Sequence, residues 1–159
     1  MKKIIDCITY LDEDMLLDFR LNVLNNYVDY FVIVEAKEDH QGRKKKLNFN
    51  IENFQQFKHK IIYLIQEEII TDKKIKLPKN WSEDHLRDQS QRNYISNALK
   101  QFDDDDWIII SDLDEIPNPI SLDKFNTKNK FSVFKQKLFY YKFNLISENN
   151  FWYGSRIIV

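Results

Sequence analysis

Two acidic side chains stand one residue apart directly after a hydrophobic run. Trp107-Ile108-Ile109-Ile110 leads into Ser111-Asp112-Leu113-Asp114-Glu115-Ile116-Pro117. Carboxylates this close repel each other, and burial would raise their pKa values. A divalent cation relieves that cost. Hard oxygen ligands suit Mg²⁺ or Mn²⁺, with substrate phosphates completing the shell. The plainer alternative is two solvated acids in a turn, where Asp is common.

Other residue types extend the first reading. Arg87 and Arg92 lie on a helical stretch about 140° apart, so both can flank a groove at one end of it. The arginine fork matches phosphate oxygens. Beside a cation held by Asp112 and Asp114 they would neutralise a diphosphate; otherwise they form surface pairs with Asp84 and Asp88. Gln89, Gln91 and Asn93 hint at a polar functional face on the same stretch. Glu35 follows an apolar run and either accepts hydrogen bonds from a ribose or base, or is the first solvated residue there. The same choice applies to Thr9 and Tyr10 after the first apolar run. His40 has no second histidine near it, and the basic stretch Arg43–Lys46 reads as a solvated loop or as a phosphate contact. Trp152-Tyr153-Gly154-Ser155-Arg156 brings aromatic faces, which stack on sugar rings, beside a glycine; aromatic clusters also build cores.

These residues need strands and helices to position them. Apolar, β-branched runs predict strands at Ile4–Tyr10, Tyr30–Val34, Ile61–Ile65 and Trp107–Ile110. Pro117 ends the last of these segments, since proline cannot donate to a ladder. Asp112 and Asp114 then sit at a strand's carboxyl end, where open α/β sheets bind ligands. In an extended segment residues i and i+2 point the same way. Asp12-Glu13-Asp14 opens a helix running to about Asn25 on the stripe Leu16, Leu17, Leu21 and Leu24. Phe54 and Phe57 mark a short helix. Thr71–Asn80 reads as a lysine-rich connector closed by Pro78. Ser82 or Asp84 caps a helix running to about Lys100. Phe131–Phe134 and Leu138–Phe143 predict two more strands, possible partners in a hairpin. Asp103–Asp106 reads as a turn into the fourth strand. Strands alternating with helices imply a largely parallel sheet.

Composition narrows the classes. The chain has 159 residues, with 43% hydrophobic and 14% aromatic content, enough for the core of a single domain spanning 1–159. Net charge is −1, so no global field draws it to nucleic acid. The single cysteine, Cys7, excludes an intramolecular disulfide and reads as a core thiol. The longest apolar runs, Tyr30–Val34 and Ile61–Ile65, fall far short of the roughly 20 residues of a membrane span. No signal peptide is evident, which sets a cytoplasmic location as the expectation.

The order and spacing of several pieces resemble glycosyltransferase family 17 along nearly the whole chain. They are Asp6-Cys7-Ile8-Thr9-Tyr10 with Glu13, Leu17 with Arg20-Leu21, Tyr30–Ala36, His40-Gln41-Gly42, Arg87 with Gln91-Arg92-Asn93, Ile110–Pro117, and Trp152 with Gly154-Ser155. The resemblance implies a GT-A-like, Rossmann-type sheet that binds a nucleotide sugar, mostly parallel, with helices on both faces and a shortened C-terminal half. It implies that Asp112-Leu113-Asp114 is a DxD motif. Asp114 would then ligate Mn²⁺ (or Mg²⁺), and Asp112 would contact the ribose or the metal through water. Thr9, Tyr10 and Glu35 would line a uridine pocket, and Arg87 and Arg92 would face the diphosphate. The implied reaction moves GlcNAc from UDP-GlcNAc to a glycan acceptor with inversion. The sequence departs from the family at Asp12, where Asn is expected, and at Asp39, where Thr is expected. Family members are also longer, so the acceptor site and general base are expected outside these residues. The competing readings are a nucleotide-sugar-binding remnant without turnover and an interaction domain. A phosphatase of the Asp-x-Asp type is disfavoured by Ile116, where that pattern has Thr or Val.

Overall fold

The computed structural model describes residues 2–69, 82–140 and 145–159. Its centre is a six-stranded sheet of order β3-β2-β1-β4-β8-β5. Strands β1 (Ile4–Tyr10), β2 (Tyr30–Ala36), β3 (Ile61–Gln66) and β4 (Trp107–Ser111) are mutually parallel. On the far side, β5 (Phe131–Val133) and β8 (Arg156–Ile158) are antiparallel to each other, and β8 is antiparallel to β4. A separate ribbon pairs β6 (Gln136–Phe139) with β7 (Ile146–Trp152).

The pleat sends alternate residues of β1 and β2 to opposite faces. Ile8, Tyr10, Phe31 and Ile33 pack against Leu17, Leu21 and Leu24 of α1 (Asp14–Leu24) and against Phe54 and Phe57 of the 3₁₀ segment Ile51–Phe57. Ile5, Cys7, Val32 and Val34 pack on the other face with Ile95 and Ala98. That face is covered by α2 (Glu83–Tyr94) and α3 (Ser96–Leu99). Burial on both faces explains why these strands read as continuous apolar runs. It also pushes the Cys7 thiol pKa up, as suits a core residue.

β1 keeps the bounds expected from the sequence, and the first four strands appear where they were expected. Two readings are corrected. The helix predicted through Lys100 is divided at Ile95, between α2 and α3. Phe131–Phe134 and the strand starting near Leu138 are not hairpin partners: β5 joins the main sheet while β6 pairs with β7. β7 and β8 were not foreseen. The Thr71–Asn80 connector and the end of the Leu138–Phe143 segment lie outside the described residues. No helix among the described residues is long and apolar enough to cross a membrane.

The order of the parallel strands positions the site. From β1 the chain builds outward to β2 and β3, then returns to place β4 on the opposite side of β1. Connections leaving β1 and β4 diverge, opening a crevice beyond their carboxyl ends, where sheets of this class receive ligands.

Candidate functional site

Asp112, Leu113 and Asp114 follow the last residue of β4 in a turn closed by the Glu115 N–H donating to the Asp112 carbonyl, 3.1 Å. The extended geometry expected for the pair is therefore replaced by a turn. Leu113 decides the outcome, because its side chain enters the α1-side core at 6% exposure. Its neighbours then point outward. Asp114 is exposed, Asp112 is half-buried, and both line one cleft of 550 Å³.

The turn is braced from two sides. Arg20 on α1 is fully buried and uses all five of its N–H donors. Two go to Asp6 (2.7 and 2.8 Å), one to Ser111 Oγ (2.6 Å), and one each to the carbonyls of Asp112 (2.9 Å) and Leu113 (3.2 Å). On the other side Glu115, 8% exposed, accepts the Asp112 N–H at 3.1 Å and the indole N–H of Trp152. Its carbonyl accepts the Ser155 hydroxyl at 2.6 Å. The backbone is thus satisfied from beneath, and the two aspartate carboxylates are left to face the cleft.

Arg92 reaches this cleft from the last turn of α2. Its guanidinium pairs with Asp112 and with Asp88, the latter at 3.1 Å. Burial works against the Arg92 charge, but Asp112 and Asp88 outweigh it and raise its pKa. Burial likewise raises the Asp112 pKa; Arg92 pulls it down, while Glu115, Asp88 and Asp114 push it further up. Excess negative charge around Asp112 is what a cation would neutralise. Among the described residues no three His, Cys, Asp or Glu side chains gather into a metal cage. Two carboxylates open to a cleft fit instead the pattern in which Mg²⁺ or Mn²⁺ takes one or two protein carboxylates and completes its shell with phosphates.

Thr9 and Tyr10, at the end of β1, line the same cleft as Arg92, Asp112 and Asp114. The Tyr10 hydroxyl donates to Asp14 at 2.6 Å, and burial with this bond raises its pKa. Glu35 and Arg87, assigned to the same site from the sequence, lie outside this lining. Glu35 is 0% exposed and holds Lys45, the N–H groups of Asn48 (2.8 Å) and Phe49 (3.1 Å), and the Tyr63 hydroxyl (2.7 Å). Arg87 pairs with Glu83 at 3.3 Å and packs against Gly42, whose φ of +77° suits a glycine. His40, given no role from sequence, and Asp88, expected only as an ion-pair partner of the helix arginines, do line the cleft. The bracing residues Arg20 and Glu115 were also missed as functional. An arginine inside the apolar stripe Leu17, Leu21, Leu24, with an aspartate inside the strand Ile4–Tyr10, was the available signal for the first.

The profile of glycosyltransferase family 17 matches residues 1–158. The Homo sapiens protein named beta-1,4-mannosyl-glycoprotein 4-beta-N-acetylglucosaminyltransferase is 30% identical over 121 residues, covering 73% of this chain and 22% of the human protein. The Rattus norvegicus protein of the same name matches to the same extent. The chain therefore spans about a fifth of the length of these curated relatives. No solved structure gives a significant match.

Proposed function

The chain belongs to glycosyltransferase family 17, and from that premise we propose that it transfers N-acetylglucosamine from UDP-GlcNAc to a hydroxyl of a glycan acceptor, with inversion and with Mn²⁺ or Mg²⁺ as cofactor. The observation that carries this reading is the cleft at the diverging ends of β1 and β4. It gathers Asp112, Asp114 and Arg92, which is the chemistry a nucleoside diphosphate requires. The relatives' name supplies the sugar and suggests a β-mannosyl acceptor.

Asp112 and Asp114 would hold the cation, which would supply stabilisation of the negative charge that grows on the departing UDP. Arg92 supplies a second positive group with a planar fork of donors for the diphosphate oxygens. Thr9 and Tyr10 form the wall on the β1 side, where the uridine lies. Arg20 and Glu115 keep the turn rigid, so the carboxylates need no reorganisation when the donor arrives. In the transfer itself, the acceptor oxygen bonds to the anomeric carbon. The carbon–oxygen bond to the diphosphate breaks on the opposite face, and the hydroxyl proton passes to a base.

Calorimetric titration of UDP-GlcNAc with and without Mn²⁺ tests the reading. Binding to the wild type is expected to require the metal. Asp114→Ala is expected to lose more than about 2 kcal/mol, the scale for removing a charged partner. Metal-independent binding of equal strength by both proteins contradicts the proposal.

A further inference from the structure

Beyond Arg92 the cleft opens into a second hollow of 690 Å³. The two hollows share Asp88, Arg92 and Asp112, but the second is walled by Trp152 and Tyr153. Both aromatic residues are half exposed, Trp152 at 47% and Tyr153 at 50%. Burying such rings is strongly favourable, so open faces beside a polar cleft are informative.

Trp152 is also held in place. Its indole N–H is tied to one carboxylate oxygen of Glu115, whose other oxygen receives the Asp112 N–H at 3.1 Å. Gly154 makes room for that tie, since a Cβ there would lie 1.8 Å from Glu115 Oε1 and 2.2 Å from Trp152 Nε1. The Ser155 hydroxyl locks the Glu115 carbonyl from the same segment. One buried carboxylate therefore fixes both the acidic turn and the edge of an aromatic ring whose face remains open. Gln89 and Arg156 add hydrogen-bonding groups around it. An apolar platform ringed by donors and acceptors is the chemistry of a pyranose: ring C–H groups meet the negative π-face, and hydroxyls take the polar partners.

We propose that the Trp152–Tyr153 hollow is a saccharide subsite, taking a pyranose ring stacked on an aromatic face while the nucleoside diphosphate occupies the neighbouring hollow. This rests on the nucleotide-sugar reading above. The ring belongs either to the donor's transferred sugar or to the acceptor, and three ligands separate these sources. Wild type, Trp152→Leu and Tyr153→Leu, each with its fold verified by circular dichroism and thermal unfolding, are titrated with UDP, UDP-GlcNAc and a mannosyl-β-1,4-N-acetylglucosamine disaccharide, all in Mn²⁺.

In Tyr153→Leu affinity for UDP is expected to stay within about twofold of wild type while a sugar-bearing ligand loses at least about tenfold, the scale of one lost aromatic platform. Trp152→Leu also removes the indole N–H from Glu115 and is read by the loss of the sugar-bearing ligand relative to that of UDP. Loss confined to UDP-GlcNAc assigns the hollow to the donor sugar, and loss confined to the disaccharide assigns it to the acceptor. No change in any ligand overturns the subsite. Equal weakening of UDP overturns it too, because that marks a nucleobase platform or a structural role. If Trp152→Leu does not fold, Tyr153→Leu decides by the same criteria. A wild type that binds the disaccharide in a Trp152- or Tyr153-dependent manner but ignores UDP removes the nucleotide reading and leaves the subsite. A wild type that binds UDP and loses nothing in either variant removes the subsite alone.

Discussion

Two parallel strands of this sheet end in acids, and the acids meet opposite fates. Glu35 in β2 is sealed at 0% exposure under the returning segment Lys45–Phe49, with both oxygens committed to protein donors. Asp112 and Asp114 after β4 remain open to a cleft. The difference lies in which residue satisfies the backbone. At β2 the acid itself caps the N–H groups of the loop. At β4 that work is done by Arg20 below and Glu115 beside the turn, so the aspartate carboxylates are not needed to hold the backbone, and Asp112 pairs with Arg92 at the cleft. A strand-end carboxylate is available for chemistry when other side chains hold the turn that carries it.

The harshest way to break this contrast is to remove the brace. Arg20→Met leaves the buried Asp6 carboxylate and two carbonyls without their partner, and is expected to cost about 3–5 kcal/mol of stability in urea unfolding. A cost near zero would mean that the turn is held elsewhere. Glu35→Gln keeps the shape but weakens hydrogen bonds made to a charged group, and is expected to cost about 1.5–3 kcal/mol by the same measurement. Asp114→Ala, at the open end, should stay within about 0.5 kcal/mol of wild type. Equal destabilisation by these two substitutions would erase the distinction between the ends.

Gly154→Ala sharpens the picture at the brace. Its Cβ has no room beside Glu115 and Trp152, so a loss of about 1–3 kcal/mol is expected, together with altered near-ultraviolet dichroism from the displaced indole. The smallest effect is on pH. Burial and the bond to Glu35 raise the Tyr63 pKa above that of a free phenol. A group whose pKa is raised by folding contributes stability below its unfolded pKa and loses it as pH rises through the folded value. Thermal unfolding followed upward from pH 8 should therefore show an alkaline decline that is shallower in Tyr63→Phe. Tyr10, raised in the same direction by burial and Asp14, keeps part of the decline in place.

Much of this was legible in the sequence because burial on both faces writes an unambiguous signal. Ile4–Tyr10 and Trp107–Ile110 are apolar runs with polar punctuation, and they appear as strands within a residue of the expected bounds. β7 hid because Ser147-Glu148-Asn149-Asn150 lies on a solvated ribbon with no core face to impose alternation. The hairpin error for Phe131–Phe134 had a related origin: three-residue β5 and β8 are specified by long-range pairing with each other, which local pattern does not carry. At the site, residue types announced Asp112, Asp114 and Arg92, but not who would be free. Glu35 and Asp112 look alike at the ends of their apolar runs. Only the Lys45–Phe49 return and the Arg20 brace, both long-range contacts, separate them.

The most direct measurement of the central claim is a Mn²⁺ titration followed by electron paramagnetic resonance in the presence of UDP, on wild type, Asp114→Ala and Glu35→Gln at a temperature where all three are folded. Wild type and Glu35→Gln are expected to immobilise the metal alike, and Asp114→Ala is expected not to. Metal capture by Asp114→Ala equal to wild type, or its loss in Glu35→Gln alone, would contradict the claim.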